Sequence, residues 1–459
     1  MMRRRWTIAA AVVVALGGCG DDEKKGTVPT GDVEADAVDA AVDDGTTSDV
    51  AGDDSAAPAD TAAPVDSAAP VDTSLPPGAT GVVTLLDRVP TTLTGGLSPE
   101  LSVVVPEGVV SITVSVLGDN DGMYGLATWG REGEPALVTA GWLESDAGMA
   151  GLCLDCPNRI AASEGAFAAI APNNPAATVT TGSYTFTAFG NRPKEVIQSF
   201  SGQCGDNVCT ILDQFQCPKD CAALPVDGDV LVSVHAKVAP GGEVPESGVL
   251  DINFHFTGAR GWSAASAPTD ADFQAIVEAM RTLYGQVGIS LGELTYRDID
   301  PSFSVIESVQ GANSDLMQLF ATSEGNAQNA VNLFFVDEIS AGSFGGFGVI
   351  LGVAGGIPGP PLVQGTWRSG VAISVQEVEG APAGIDTTMA HEVGHFLGLF
   401  HTSEQDFGFG EQIHDPLPDT PENDASYLMF NTGAGDTLSP WQGRVMRSNP
   451  WVRHAEETP

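Results

Sequence analysis

Positive charge is what this sequence has least of: 19 Lys and Arg stand against 60 Asp and Glu in 459 residues, for a formal net charge of −41. A chain so acidic lacks the electrostatic means to hold nucleic acid or anionic headgroups, and no nucleic-acid partner is expected. Long apolar runs are missing too. The run Ile8 to Leu16 is too short to span a bilayer comfortably, and the apolar stretch 342–361 is broken throughout by glycine and proline. No cysteine follows Cys221, so the second half of the chain has no disulfide. Histidine is scarce, with seven in the whole chain, yet three of them fall within residues 391–401.

That cluster reads His391-Glu-Val-Gly-His-Phe-Leu-Gly-Leu-Phe-His401. Met389, Val393, Phe396 and Leu397 recur at helical spacing, and Asp386 or Thr387 offers an oxygen to cap the first turn. On a helix, His391 and His395 lie one turn apart on one face, with Glu392 beside them. Gly398 stands where the helix has to break to bring His401 back, because glycine takes positive φ without strain. Three neutral imidazoles leave a fourth tetrahedral position for water, the pattern of a catalytic zinc site rather than a closed structural one. A neighbouring carboxylate then takes the proton of the attacking water, which makes Glu392 the candidate general base.

The stretch resembles the HExxHxxGxxH signature of the metzincin zinc proteases. Downstream, Asp419-Thr-Pro421, Tyr427-Leu-Met-Phe430 and Leu438-Ser-Pro-Trp-Gln-Gly-Arg-Val-Met446 resemble the pappalysin branch, a similarity that covers roughly residues 228–452. The resemblance implies an α+β catalytic domain with a mixed sheet, a zinc-site helix and Met429 as the Met-turn residue under the metal. It also implies an edge strand within 342–361 against which an extended peptide pairs. Two departures accompany it. Asn431 occupies the position where these proteases usually carry a tyrosine that stabilises the oxyanion, and an amide is the possible donor in its place. The catalytic-domain disulfide common in pappalysins is absent.

Along the chain, Arg3 to Arg5 followed by an apolar run has the form of an export signal. Leu16-Gly-Gly-Cys19 resembles a bacterial lipobox, which implies cleavage after residue 18 and lipidation of Cys19. Residues 19–79 read as a disordered acidic Ala/Pro/Asp tether, without a basic residue between Lys25 and Arg88. Residues 80–200 carry short Val, Ile, Leu and Thr runs at the spacing of an all-β sandwich. Cys153 and Cys156 within it suit a small disulfide, with metal binding as the alternative. Residues 201–224 hold Cys204, Cys209, Cys217 and Cys221, read as a disulfide-held mini-module, with zinc or a calcium site using Asp206, Asp213 and Asp220 as alternatives. Residues 225–459 form the expected catalytic domain. It opens with strands at 229–236 and 249–256, whose His235 and His255 are strand residues rather than ligands. A helix after Asp270, strands at 289–296 and 330–336, and the histidine helix follow.

The expectation is an exported bacterial lipoprotein of the cell envelope, tethered to the membrane by its N-terminal lipid alone. It acts on protein or peptide substrates as a Zn2+-dependent endopeptidase. The competing expectation is a non-catalytic surface binding or adhesion protein whose zinc site is structural.

Overall fold

The computed structural model describes residues 81–144, 151–194, 204, 208–209, 223–327, 329–340, 350–376, 383–405 and 412–455. The signal, Cys19, the tether, Cys217, Cys221 and the calcium candidates Asp206, Asp213 and Asp220 lie outside them.

The first half contains β1 (Gly81–Leu93), β2 (Leu101–Val105), β3 (Val109–Leu117), β4 (Met123–Arg131), β5 (Leu152–Cys153), β6 (Ile160–Ala161), β7 (Ser163–Glu164), β8 (Ala166–Ala171), β9 (Gly182–Arg192), β10 (Leu224–Pro225) and β11 (Gly228–Val238). Two antiparallel sheets result, ordered β1-β11-β3-β8 and β10-β9-β4-β7, with β2 also on β9. The reason is legible in β3. Its alternation points Ile112, Val114 and Val116 into an apolar cluster that both sheets share, together with Val230, Val232 and Val234 of β11 and Phe186 and Ala188 of β9. Cys153 and Cys156 form a disulfide beside the short β5–β6 pair, and Cys204 and Cys209 are each engaged in a disulfide.

The second half contains β12 (Gly248–Phe256), α1 (Ala271–Gly285), β13 (Ile289–Asp298), β14 (Val305–Ile306), α2 (Asp315–Ala321), β15 (Ala330–Val336), β16 (Glu338–Ile339), β17 (Gly352–Ala354), β18 (Val371–Ser374), α3 (Ile385–Phe396), β19 (Ser403–Gln405), β20 (Gln412–His414), α4 (Pro440–Ser448) and β21 (Val452–His454). Its main sheet runs β13-β12-β15-β18-β17, and β21 pairs with β12. β12, β13, β15 and β18 are parallel, whereas β17 is antiparallel at the edge. α1 is capped by Asp270, whose side chain accepts the Phe273 N–H, and it buries Phe273, Val277, Met280 and Leu283 against the same cluster that takes up Met389, Val393 and Phe396 of α3. The result is a mixed-sheet α+β fold. Among the described residues no helix is long and apolar enough to cross a membrane.

One strand lies elsewhere than the sequence suggested. Gly228–Val238, expected to open the second half, is the second strand of the first sheet, paired with both β1 and β3. Toward its C-terminal end the polar face, Ser233, His235 and Lys237, is buried along with the apolar one. Lys237, 2 % exposed, donates to the carbonyls of Arg447, Asn449 and Val452 in the second half. The hydroxyl of Ser111 on β3 donates to the carbonyl of Ser448 at 2.6 Å. Arg368, between β17 and β18, donates through Nε to the carbonyl of Glu164 at 2.9 Å and pairs with its carboxylate at 3.4 Å. These charge-assisted contacts offset the desolvation of Lys237 and Arg368. They make the described residues of both halves one compact unit.

Candidate metal centre

α3 starts after Gly384, and neither Asp386 nor Thr387 occupies the cap position. Thr387 still closes the first turn from inside, its Oγ1 accepting the Gly384 N–H at 3.2 Å. The helix ends at Phe396, and Gly398 adopts φ +108°. The Gly398 N–H reaches the carbonyl of His395 at 2.8 Å and the Leu399 N–H that of Gly394 at 3.0 Å. This turn returns the chain so that His401 meets the two helical histidines.

The three imidazoles converge through Nε2. The separations are 3.0 Å for His391–His395, 3.1 Å for His395–His401 and 3.2 Å for His391–His401. Each Nδ1 faces an oxygen acceptor: the carbonyl of Leu428 at 2.6 Å for His391, the carbonyl of Leu399 at 2.7 Å for His395, and the Glu404 carboxylate at 2.8 Å for His401. Those acceptors place the ring protons on Nδ1, so three Nε2 lone pairs aim at one point. Without a cation such an arrangement is repulsive. Ligand nitrogens at about 2.0–2.1 Å around a tetrahedral zinc stand about 3.3 Å apart, close to the separations observed. Burial and the neighbouring His401 press His391 down to about 3, against the hydrogen bond to Leu428. Burial, first of all, also holds His395 well below its ordinary value. Both are therefore neutral near pH 7, as metal ligands must be. The donor set fits zinc.

Glu392 lies on the same helix, fully buried. Burial pushes its carboxyl well above the usual range, and the backbone of Ala354 opposes the rise. Among the described residues, neither carboxyl oxygen has a hydrogen-bond partner. A cation at the three nitrogens acts in the opposite sense to burial. β17 lies against this face: a Cβ on Gly352 would stand 2.5 Å from Glu392 Cγ, so glycine is what lets the edge strand sit there. Met429 lies on the other side of α3, where a Cβ on Gly394 would meet its Sδ at 2.6 Å. Its carbonyl accepts the Thr402 N–H at 2.8 Å, which ties the 427–430 turn to the strand leaving His401. Asn431, two residues on, is half-buried with a buried Oδ1.

Two residues near the site escaped the sequence reading. Glu404 had a local signal, an acidic residue three positions after the last histidine. Arg159, whose guanidinium lies over the ring of Phe400 with 5.5 Å from Cζ to centroid, is remote in sequence and had none.

A three-histidine site on a helix and the turn that follows it, with a carboxylate inside the histidine spacing, is an arrangement that could hold a metal ion with an open position. Residues 375–450 match the model of the peptidase M43 family, described as pregnancy-associated plasma protein-A. Over this segment the chain is similar to the pappalysin-like metzincins, which are zinc metalloendopeptidases. Among solved structures it is similar to metalloproteinase-II from Bacteroides fragilis, at 14 % identity and TM-score 0.25 over 46 % of this chain and 60 % of that one. It is also similar to the acetyl xylan esterase Est2A from the rumen bacterium Butyrivibrio proteoclasticus, at 12 % identity and TM-score 0.12 over 56 % of this chain and 61 % of that one. The chain thus spans about three fifths of either structure, and overlays this loose carry no argument. No curated protein sequence matches.

Proposed function

We propose that this protein is an exported, lipid-anchored endopeptidase of the cell envelope that hydrolyses peptide bonds with Glu392 as general base. The observation that carries the reading is the convergence of three Nε2 atoms beside a carboxylate that no donor among the described residues holds. His391, His395 and His401 would hold zinc, which supplies Lewis acidity toward a carbonyl oxygen and lowers the pKa of water to about 7. Glu392 accepts the proton of the attacking water and returns it to the leaving amine. Met429, as the Met-turn residue, floors the site. β17 offers an edge on which an extended peptide pairs, and Asn431 donates to the oxyanion. Export and anchoring rest on the N-terminal tract ending at Cys19.

Glu392→Gln keeps the shape and removes the base. The expected result is retained zinc with turnover of a peptide library lowered at least about 10³-fold. Wild-type turnover in that variant would sink the mechanism. A second reading, a surface binding protein with a structural zinc site, is favoured by Asn431 standing where a tyrosine is usual. Full zinc occupancy with no cleavage of any denatured protein supports that reading instead.

A further inference from the structure

Arg159 belongs to the first half of the chain, between the Cys153–Cys156 disulfide and β6, yet its side chain is spent on the second half. It is 8 % exposed. Its Nη2 donates to the carbonyl of His414 on β20 at 2.8 Å, and its guanidinium covers Phe400, the residue before the third histidine. β20 pairs with β19 in the register Ser403↔His414 and Glu404↔Ile413, and Ser403 Oγ meets His414 Nδ1 at 2.8 Å. Arg159 therefore grips both flanks of His401: the ring before it, and the hairpin that carries the carboxylate bonded to its Nδ1.

The loop presenting Arg159 is built to hold it still. Asn173 donates to the Arg159 carbonyl at 2.6 Å, Asn174 to that of Pro157 at 2.8 Å, and Asn158 to that of Ile170 at 2.9 Å.

Resting on the zinc-site reading above, we infer that Arg159 is a positioning residue for the metal ligand His401, acting through Glu404 and the β19–β20 hairpin. The β-sheet half then supplies part of the metal centre's outer support and is more than a spacer. It also gives the Cys153–Cys156 loop a purpose, the presentation of a buried cation to the neighbouring half.

The test is a zinc-affinity cycle on the full chain, read by competition with a chromophoric chelator, so that it does not depend on peptidase activity. Arg159→Met and Glu404→Gln are each expected to weaken zinc binding 10- to 100-fold, the range found when outer partners of metal ligands are removed. In the double variant the losses should not multiply, and Arg159→Lys should restore only part of the affinity because it lacks the planar fork. Wild-type affinity in Arg159→Met, or losses that multiply in the double variant, would overturn the inference. Should Arg159→Met fail to fold, Arg159→Lys decides in its place: unchanged affinity overturns the inference, and a loss smaller than that of Glu404→Gln upholds it. A wild-type chain that binds no zinc overturns the proposed function first, whereas zinc binding without cleavage overturns only the peptidase reading.

Discussion

At Asn431 the chain departs from the tyrosine that pappalysin-like metzincins place two residues after the Met-turn methionine. If its amide donates to the developing oxyanion, Asn431→Ala should lower kcat about 10²-fold with little change in KM, and Asn431→Tyr should keep kcat within tenfold of wild type. Unchanged kcat in both variants removes Asn431 from the chemistry. A second residue-scale effect concerns stability. His235 is buried against Thr84, at 3.1 Å, and burial lowers it from 6.5 to about 4, against the pull of Asp87. Between those values the unfolded chain binds a proton that the folded one does not, so stability is present above pH 6.5 and is lost as the pH falls toward 4. The span corresponds to about 3 kcal/mol. Melting curves of wild type and His235→Gln should diverge with that sign, wild type losing more stability on acidification. Parallel curves would mean that the imidazole is protonated in the folded state.

Among the elements, the histidine helix and the turn after it were the most legible. The spacing of Met389, Val393 and Phe396 defined the buried side of α3, and Gly398 marked its end. What the spacing left open was why that turn is so confined. A Cβ on Gly398 would stand 3.2 Å from Cγ2 of Ile170 on β8, in the other half of the chain, in addition to the strain of φ +108°. Gly398→Ala should cost about 1–3 kcal/mol of stability and swing His401 out of line. Melting with and without added zinc checks both, since the stabilisation by zinc should shrink more than the apo stability falls. Equal zinc stabilisation in both proteins would mean that the turn holds its path without glycine. The helix start was misjudged for a simple reason: Gly384 has no side chain to signal a cap, and Thr387 acts from the third helical position.

Over the whole molecule, the first sheet is covered on both faces, by the second sheet on one and by the second half of the chain on the other. Removing the whole β-sheet half would expose the carbonyls that Lys237 and Ser111 satisfy, strand Arg368 without Glu164, and leave Gly398 uncovered. Buried polar groups stripped of partners cost about 1–3 kcal/mol each. A chain of residues 239–459 is therefore expected to be unfolded or aggregated by circular dichroism and size exclusion, whereas residues 81–459 should fold as a monomeric unit. A monomeric, zinc-binding 239–459 fragment would show the β-sheet half to be dispensable.

By itself the sequence brought out the three histidines that converge, the carboxylate beside them, the helices α1 and α3 and the strands β12, β13 and β15 of the second half. These follow from local periodicity, since an i, i+4 pair faces one way on any helix and a glycine ends it. In β3 the alternation of Ile112, Val114 and Val116 with Ser111, Thr113 and Ser115 is plain in the sequence. It had no means of saying what lies over Ser111 and Thr113, because a buried hydroxyl face and a solvated one share the same period. That β11 belongs to the first sheet, that Glu404 bonds the imidazole of His401 and that Arg159 reaches across to Phe400 and the carbonyl of His414 were decided by the tertiary structure alone. Each depends on packing between segments far apart in the chain, where the energetics reside in burial and hydrogen-bond geometry that no spacing of residues encodes.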